Sequence, residues 1–194
     1  MDSAGRPFSG VALRLSGTPF SVLSDSAGRF RLDSLPAGRF DLIAEHTSYA
    51  ALGSLVAEEV VETEEGATRQ VALRATRAAQ IIERLCDGKR PQRRRATLRI
   101  TMVDSTSGAV LIGLPVWLTW PEYSGRLPEG VLRGTEGMRA TTDSRGSITF
   151  CDLPANHPLE ISVVRPNGQS VRVTALRLAE NELGARTIKT TRPR

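Results

Sequence analysis

The chain has 194 residues, a formal net charge of +5, 40% hydrophobic residues and 5% aromatic residues. This length suits two domains of about 90 residues, each near the lower limit for burying an adequate core unaided. Lys89 and Lys189 are the two lysines among 26 basic residues. The remaining basic residues are arginines spread along the chain instead of gathered in a patch, so we expect no nucleic-acid partner. No apolar run approaches the ~20 residues that a membrane span requires.

The first part of the chain alternates apolar and polar residues in short segments that turns separate. A two-residue period is typical of a strand with one buried face. The turns are rich in Gly, Pro and Asp, which favour reversals, as in Asp25-Ser-Ala-Gly28. The pattern predicts an antiparallel meander followed by two more strands. The expected strands are residues 10–15, 19–24, 29–33, 39–45, 55–61 and 68–75.

The two-residue period breaks after residue 76. Ala78, Ile81, Ile82 and Leu85 are spaced three, four and seven apart, which predicts a short helix over 78–86 with one apolar face. Residues 87–95 are highly charged. We interpret them as a solvated linker in preference to a polyanion-binding patch.

An internal repeat organises the whole sequence. Residues 142–155 match residues 24–37 without a gap and are identical at six of fourteen positions. Upstream, residues 104–118 pair with residues 2–15 with one residue of slippage. The repeat predicts two homologous β units. The second unit opens with a strand over 97–103 that the first lacks, so we expect the first to be a sandwich missing one edge, with that strand and any signal peptide encoded upstream.

Both copies resemble the carboxypeptidase regulatory-like domain, a transthyretin-like (prealbumin-like) β-sandwich. The second copy departs from the family pattern at Asn156, where a Gly is expected, and has no match for Tyr49. The resemblance implies an all-β chain of two tandem transthyretin-like antiparallel sandwiches, over 1–76 and 96–194, joined by a short helix and basic linker over 77–95. The residues that carry it are Asp25, Gly28, Phe30, Leu35, Pro36, Ala37 and Gly38 in one copy, and Asp143, Gly146, Phe150, Leu153, Pro154 and Ala155 in the other.

The resemblance also implies a setting and a role. Modules of this family are attached to many kinds of protein, so fold alone does not give function. We expect a non-catalytic module of a bacterial cell-envelope or secreted protein, in the periplasm, at the outer membrane or outside the cell. It would act as a spacer or protein-interaction domain whose partner is another envelope protein or another domain of its own chain. Exposed edge strands offer one route to such partners.

Few residues point to catalysis. His46 and His157 are the two histidines, and they lack zinc-ligand spacing. A Gly-x-Ser-x-Gly nucleophile turn does not occur. We therefore interpret both histidines as turn residues and expect a protein that is not an enzyme and uses no metal or cofactor.

The second copy carries an insertion of about 15 residues, which predicts a long loop over 120–137. Loops on a rigid sandwich often carry binding residues. Trp117, Trp120 and Tyr123 lie in or beside it, and an aromatic platform for carbohydrate or peptide is the alternative function. Tryptophans buried in the core beside a loop that is merely long would explain the same residues.

The two cysteines allow a further interpretation. Cys151 replaces Asp33 of the first copy, on the outward face of its strand, and Cys86 is its one possible partner. The sequence leaves a Cys86–Cys151 disulfide and two separate thiols as alternatives. A disulfide would place the protein outside the reducing cytosol.

Overall fold

The structure is a computed structural model that describes residues 7–90, 92–127 and 130–192, apart from the side chains of 123–133. The chain is all-β and forms two compact units, Met1–Ile81 and Ile82–Arg194. We call them unit 1 and unit 2 and describe each by itself.

Unit 1 contains one hydrogen-bonded sheet of four antiparallel strands in the order β2-β1-β3-β4. Inward residues of these strands, among them Leu13, Leu15 and Leu42, are at most 2% exposed. They form one wall of the unit's core. The strands are β1 (Ala12–Leu15), β2 (Ser21–Leu23), β3 (Gly38–Glu45) and β4 (Ala57–Thr63).

A single helical turn, α1 (Thr47–Ala50), follows β3. His46 caps it, because the Ser48 amide donates to the imidazole Nδ1 at 3.3 Å. The Tyr49 hydroxyl donates to the Thr76 carbonyl at 3.1 Å, which fixes the end of the unit to this turn.

Two of the predicted strands are not strands. Residues 29–33 and 68–75 belong to none of the sheets that the described residues form. Their alternating apolar side chains still face the core, where Phe30, Leu32, Val71 and Leu73 pack against the four-stranded sheet. Among the residues that the structure describes, these two segments cover the inner face of the four-stranded sheet without forming a second sheet.

Unit 2 is a sandwich of two sheets. One has the order β10-β9-β6-β7, and the other has the order β11-β5-β8. Helix α2 (Ala78–Leu85) ends just before Cys86. The strands are β5 (Arg95–Asp104), β6 (Pro115–Leu127), β7 (Gly130–Thr141), β8 (Ser147–Pro154), β9 (Leu159–Val164), β10 (Ser170–Leu176) and β11 (Leu183–Thr190).

Strand β5 is the centre of the three-stranded sheet. It pairs antiparallel with β8 and parallel with β11. Leu98, Ile100 and Met102 point from it into the core and are 0% exposed. Every second residue of β5 thus fills the space between the two sheets.

Residues 120–127 and 130–137, predicted as part of a loop, are strands instead. The insertion lengthens β6 and β7, which pair from Pro115↔Thr141 to Leu127↔Gly130, with an irregularity between Tyr123 and Arg126. The two inserted arms satisfy each other's backbone groups, which a loop would leave to water.

Candidate functional site

The two units share one turn in atomic detail. In unit 1, Oδ1 of Asp25 accepts hydrogen bonds from the Ala27 and Arg29 amides at 2.9 and 2.8 Å. In unit 2, Oδ1 of Asp143 accepts from the Arg145 and Ser147 amides at 2.9 and 2.8 Å. The turns then close on glycines of equal φ, +69° at Gly28 and at Gly146.

These hydrogen bonds favour the ionised carboxylates. The Arg29 amide is the main cause that lowers the pKa of Asp25, and the Arg29 side chain and Ala27 amide add to it. Partial burial raises the pKa of Asp143, but the Ser147 and Arg145 amides together with the charges of Arg99 and Arg145 lower it by more, so the net shift is downward. In both units, therefore, an ionised aspartate accepts the backbone amides of its turn.

The preceding residue also repeats its contacts. Ser24 Oγ accepts from the Val11 amide at 3.0 Å and donates to the Phe8 carbonyl at 2.8 Å. Thr142 Oγ1 accepts from the Leu114 amide at 2.8 Å and donates to the Leu111 carbonyl. Phe8 in unit 1 therefore stands where Leu111 stands in unit 2.

The sheet registers agree as well. Leu13↔Ala44 and Leu15↔Leu42 pair in unit 1, as Val116↔Val163 and Leu118↔Ile161 pair in unit 2. The order β2-β1-β3-β4 is the same topology as β7-β6-β9-β10. The second layers differ, because 29–33 and 68–75 correspond to β8 and β11 but nothing described lies between them as β5 does.

The sequence predicted that unit 1 is a sandwich missing one edge strand. In unit 2 the corresponding strand, β5, lies between β11 and β8, and no strand of the described residues occupies that central position in unit 1.

Backbone groups at this position differ between the units. In unit 2 the Leu111 amide donates to the Met102 carbonyl at 2.9 Å, and the Met102 amide donates to the Gly146 carbonyl at 2.8 Å. Their counterparts in unit 1 are the Phe8 amide and the Gly28 carbonyl. Neither has a backbone partner among the residues that the structure describes.

Equivalent residues are also less buried in unit 1 than in unit 2. Ile148 and Phe150 on β8 are 4% and 2% exposed. Phe30 and Leu32, at the same repeat positions, remain partly exposed. Gly28 is likewise less buried than Gly146. These residues of unit 1 thus keep more contact with solvent than their counterparts in unit 2.

A cavity of about 150 Å³ lies in unit 1 and opens to the surface. Phe30 lines one side and Val71 and Leu73 the other, with Val11 and Leu13 of the sheet below. A void of this size holds one benzene-sized group. Its walls are apolar, and the hydroxyl of Ser24, which also lines it, is already used between Val11 and Phe8.

The cysteines of unit 2 form the Cys86–Cys151 disulfide, with a Cα–Cα distance of 6.1 Å. Cys151 lies on β8, and Cys86 follows α2 and is 4% exposed. Of the two alternatives that the sequence left open, the structure has the bridge. It closes a loop with a sequence separation of 65 and fastens the residue after α2 to β8.

The structure does not bring the two tryptophans together. Trp117 lies between the buried Val116 and Leu118 and so points away from the core, with the guanidinium carbon of Arg139 4.4 Å from its ring centroid. Trp120 packs against the core on the opposite face of β6. The side chain of Tyr123 lies outside the described residues. Ligand binding by these residues stays a prediction.

The two histidines lie in different units. His46 caps α1, and its ring centroid is 4.7 Å from that of Phe8. His157 lies in the bend between β8 and β9. Within the described ranges there is no group of three or more His, Cys, Asp or Glu residues that could hold a metal ion. None of the helices described there is long and apolar enough to cross a membrane.

No family model and no curated protein matches the chain. Among solved structures, the Bacillus anthracis TIE protein overlaps 99% of this chain and 32% of its own, at 15% identity and a TM-score of 0.34. A shaft pilin, SpaA, from Lactobacillus rhamnosus GG overlaps 96% of this chain and 89% of its own, at 10% identity and a TM-score of 0.33.

A streptococcal ancillary pilin overlaps 100% of this chain and 61% of its own, at 14% identity and a TM-score of 0.30. The chain thus spans about a third of the Bacillus anthracis protein and under two thirds of the streptococcal one. With TM-scores below 0.5, these overlaps carry no argument about what this chain does.

Sequence reasoning found the repeat, the turns and the cysteine pair, but missed the apolar cavity of unit 1. No local pattern points to it, because the residues that line it come from segments far apart in the sequence.

Proposed function

We propose that this chain is a non-catalytic β-sandwich module of a bacterial cell-envelope or secreted protein, acting as a spacer or protein-interaction domain. Residues 1–76 and 96–194 are its two repeats of the carboxypeptidase regulatory-like, transthyretin-like type, and residues 77–95 connect them. The shared Asp25 and Asp143 turns support the common ancestry of the repeats.

The disulfide is the observation that carries the location. Disulfides persist in oxidising compartments and are rare in the cytosol of mesophiles. The Cys86–Cys151 bridge joins residues with a sequence separation of 65 inside unit 2. A covalent link of this kind suits a domain that must stay folded outside the cell or in its envelope.

The side chains support a structural role in preference to a catalytic one. His46 is engaged as a helix cap. The cavity of unit 1 is lined by apolar groups and by one hydroxyl that already makes two structural hydrogen bonds. Catalytic clefts instead gather polar and titratable groups with unsatisfied partners.

Thiol trapping in the native host tests the location. Cells are quenched in acid, and the protein is alkylated in denaturant before and after reduction. We expect Cys86 and Cys151 to be alkylated only after reduction, with the Cys86→Ser/Cys151→Ser variant as the unlabelled control. Alkylation of both cysteines without reductant would contradict the proposal.

A pull-down from envelope extract separates the two roles. The chain is the bait, and heat-unfolded bait is the control. A protein retained at high salt by the folded bait alone identifies an interaction domain. Equal recovery on both baits identifies a spacer.

A further inference from the structure

We propose that Asn167, in the turn between β9 and β10 of unit 2, is a site of self-catalysed deamidation. Its side-chain amide is converted through a cyclic imide into aspartate and isoaspartate, with the backbone nitrogen of Gly168 as the nucleophile and water as the second reactant. The modification lowers the formal net charge of +5 by one. This chemistry depends on the turn alone, and on neither the location nor the partners of the protein.

The residue after Asn167 leaves room for the reaction. The cyclic imide closes when the backbone nitrogen of the following residue attacks the side-chain carbonyl carbon, so a side chain on that residue crowds the ring. Gly168 has no Cβ, and Asn167-Gly168 is the single Asn-Gly pair in the chain. A Cβ built at Gly168 would meet nothing within 4 Å. The space beside the nucleophile is therefore open in the folded chain.

Hydrogen bonds hold the Asn167 side chain beside the backbone that follows it. The Gln169 amide donates to Oδ1 of Asn167 at 3.0 Å, and Nδ2 of Asn167 donates to Oε1 of Gln169 at 3.3 Å. The first bond closes a ring that includes the Gly168 nitrogen, as in other turns that asparagine side chains form with the backbone two residues on. It also draws electron density toward Oδ1, which makes the side-chain carbonyl carbon a better target for a nucleophile.

The turn has to open before the nucleophile is available. The Gly168 amide donates to the Arg165 carbonyl at 2.9 Å, and this hydrogen bond must break before the nitrogen loses its proton. Residues 165–170 are all exposed. Local opening of such an exposed loop costs little free energy. The same exposure gives water access to the cyclic imide.

The other two asparagines of the chain are internal comparisons. Asn156 and Asn181 are exposed, as Asn167 is. Each is followed by a residue with a side chain, His157 in one case and Glu182 in the other. Exposure therefore does not distinguish the three sites, whereas the following residue does.

The reaction conserves atoms and electrons. The Gly168 nitrogen loses its proton to a base in solution and forms a bond to Cγ of Asn167, while the Cγ–Nδ2 bond breaks and Nδ2 leaves as ammonia. Water then adds to one of the two imide carbonyls. Breaking the new bond to Cγ gives aspartate. Breaking the bond to the main-chain carbonyl carbon gives isoaspartate, whose backbone runs through the side chain.

Isoaspartate loosens the turn between β9 and β10, because it adds one carbon to the main chain. The Arg165 amide donates to the Gln169 carbonyl at 2.8 Å across the turn, and Ser170 pairs with Val164 where the ladder begins. Strand β10 lies at the end of the order β10-β9-β6-β7, so among the described residues its ladder is with β9 alone. The longer turn therefore frays this end of the ladder.

Ageing of the purified 194-residue chain tests the site. The protein is incubated at neutral and at mildly alkaline pH, and tandem mass spectrometry of its tryptic peptides follows deamidation at each asparagine. We expect Asn167 to react at least roughly ten-fold faster than Asn156 or Asn181, which corresponds to about 1.4 kcal/mol in activation free energy. The rate should rise with pH, because the nucleophile is the deprotonated amide.

Two glutamine variants isolate the reaction. Asn167→Gln keeps an amide but adds one methylene, so the imide ring would need six members instead of five, and the fast reaction should disappear. Asn181→Gln is the matched control and should leave the fast reaction unchanged.

Hydrogen exchange separates the new charge from the longer backbone. In the isoaspartate form, the Arg165 amide should exchange roughly five-fold faster, as expected for the loss of one hydrogen bond. In freshly purified Asn167→Asp protein, which carries the charge without the added carbon, it should exchange at the original rate.

Deamidation of Asn167 no faster than that of Asn156 would contradict the proposal. A product without isoaspartate would also contradict it, because direct hydrolysis of the side-chain amide gives aspartate alone. A fast reaction that persists in Asn167→Gln would assign the chemistry to another residue. An unchanged exchange rate at Arg165 in the isoaspartate form would contradict the loosened turn.

Discussion

Unit 1 and unit 2 repeat the same turns and the same four-stranded topology, yet among the described residues a second sheet is found only in unit 2. In unit 2, β5 lies between β8 and β11 and is buried on its inner face. In unit 1, the segments at the positions of β8 and β11 form no ladder with each other. The comparison teaches that an alternating apolar pattern directs side chains into a core even where it does not form a strand.

The largest contrast is expected from truncating equivalent core residues. Phe150→Ala, at 2% exposure, should lower the free energy of unfolding of unit 2 by up to about 5 kcal/mol. Leu32→Ala, at the same repeat position but partly exposed, should cost unit 1 about 1–2 kcal/mol.

Urea denaturation measures both costs. The fluorescence of Trp117 and Trp120 reports on unit 2, where both tryptophans of the chain lie, and amide signals report on unit 1. Equal costs at the two positions would remove the contrast between the units.

The next effect concerns the disulfide. Opening the loop between Cys86 and Cys151, with a sequence separation of 65, should destabilise unit 2 by about 4 kcal/mol in the chain-entropy treatment. Reduction, or Cys86→Ser with Cys151→Ser, should lower the tryptophan-detected transition and leave the amide-detected transition of unit 1 in place. A shift of both transitions together would show that the two units do not unfold independently.

Glycine substitutions test how closely the backbone of β5 approaches the turn at Gly146. A Cβ added at Gly146 would lie 2.8 Å from Val110 Cβ and 3.1 Å from the Met102 carbonyl oxygen. Gly108 has a similar φ of +72°, against +69°, but open space around it. Gly146→Ala should therefore cost about 1–3 kcal/mol more than Gly108→Ala in urea denaturation. Equal costs would mean that backbone conformation alone requires glycine.

The smallest effect is the dependence of stability on pH. The Arg29 amide lowers the pKa of Asp25, and the Ser107 amide lowers that of Asp104. At Asp143 burial raises the pKa, but the amide hydrogen bonds and two nearby arginines together lower it by more. A lowered pKa in the folded chain means that the stabilisation is present above the unfolded value of about 3.9 and is lost as the pH falls through the folded value.

Both units should thus lose stability below about pH 4. Asp25→Asn should flatten this dependence in unit 1, and Asp143→Asn should do so in unit 2. Urea midpoints measured between neutral and acid pH check this. A profile that neither substitution alters would assign the acid sensitivity to other carboxylates.

Local patterns predicted much of the fold. The alternation of apolar and polar residues predicted β1, β3 and β4, and the helical spacing of apolar residues predicted α2. The repeated turn motif predicted the turns at Asp25 and Asp143. Sequence reasoning went wrong where pairing depends on distant residues. Residues 29–33 and 68–75 have strand patterns but form no strand in the described part of the chain, whereas residues 120–127 and 130–137, predicted as a loop, pair with each other. Such pairing depends on tertiary contacts, which no local pattern encodes.

Residue-resolved amide hydrogen exchange tests the central claim most directly. The Met102 amide bonds to the Gly146 carbonyl, and antiparallel ladders repeat every second residue, so the Ile148 and Phe150 amides face β5. The account predicts strong protection at Ile148 and Phe150, and fast exchange at their repeat counterparts Phe30 and Leu32. Protection of Phe30 and Leu32 as strong as that of Ile148 and Phe150 would contradict it, because those amides would then have a strand partner already.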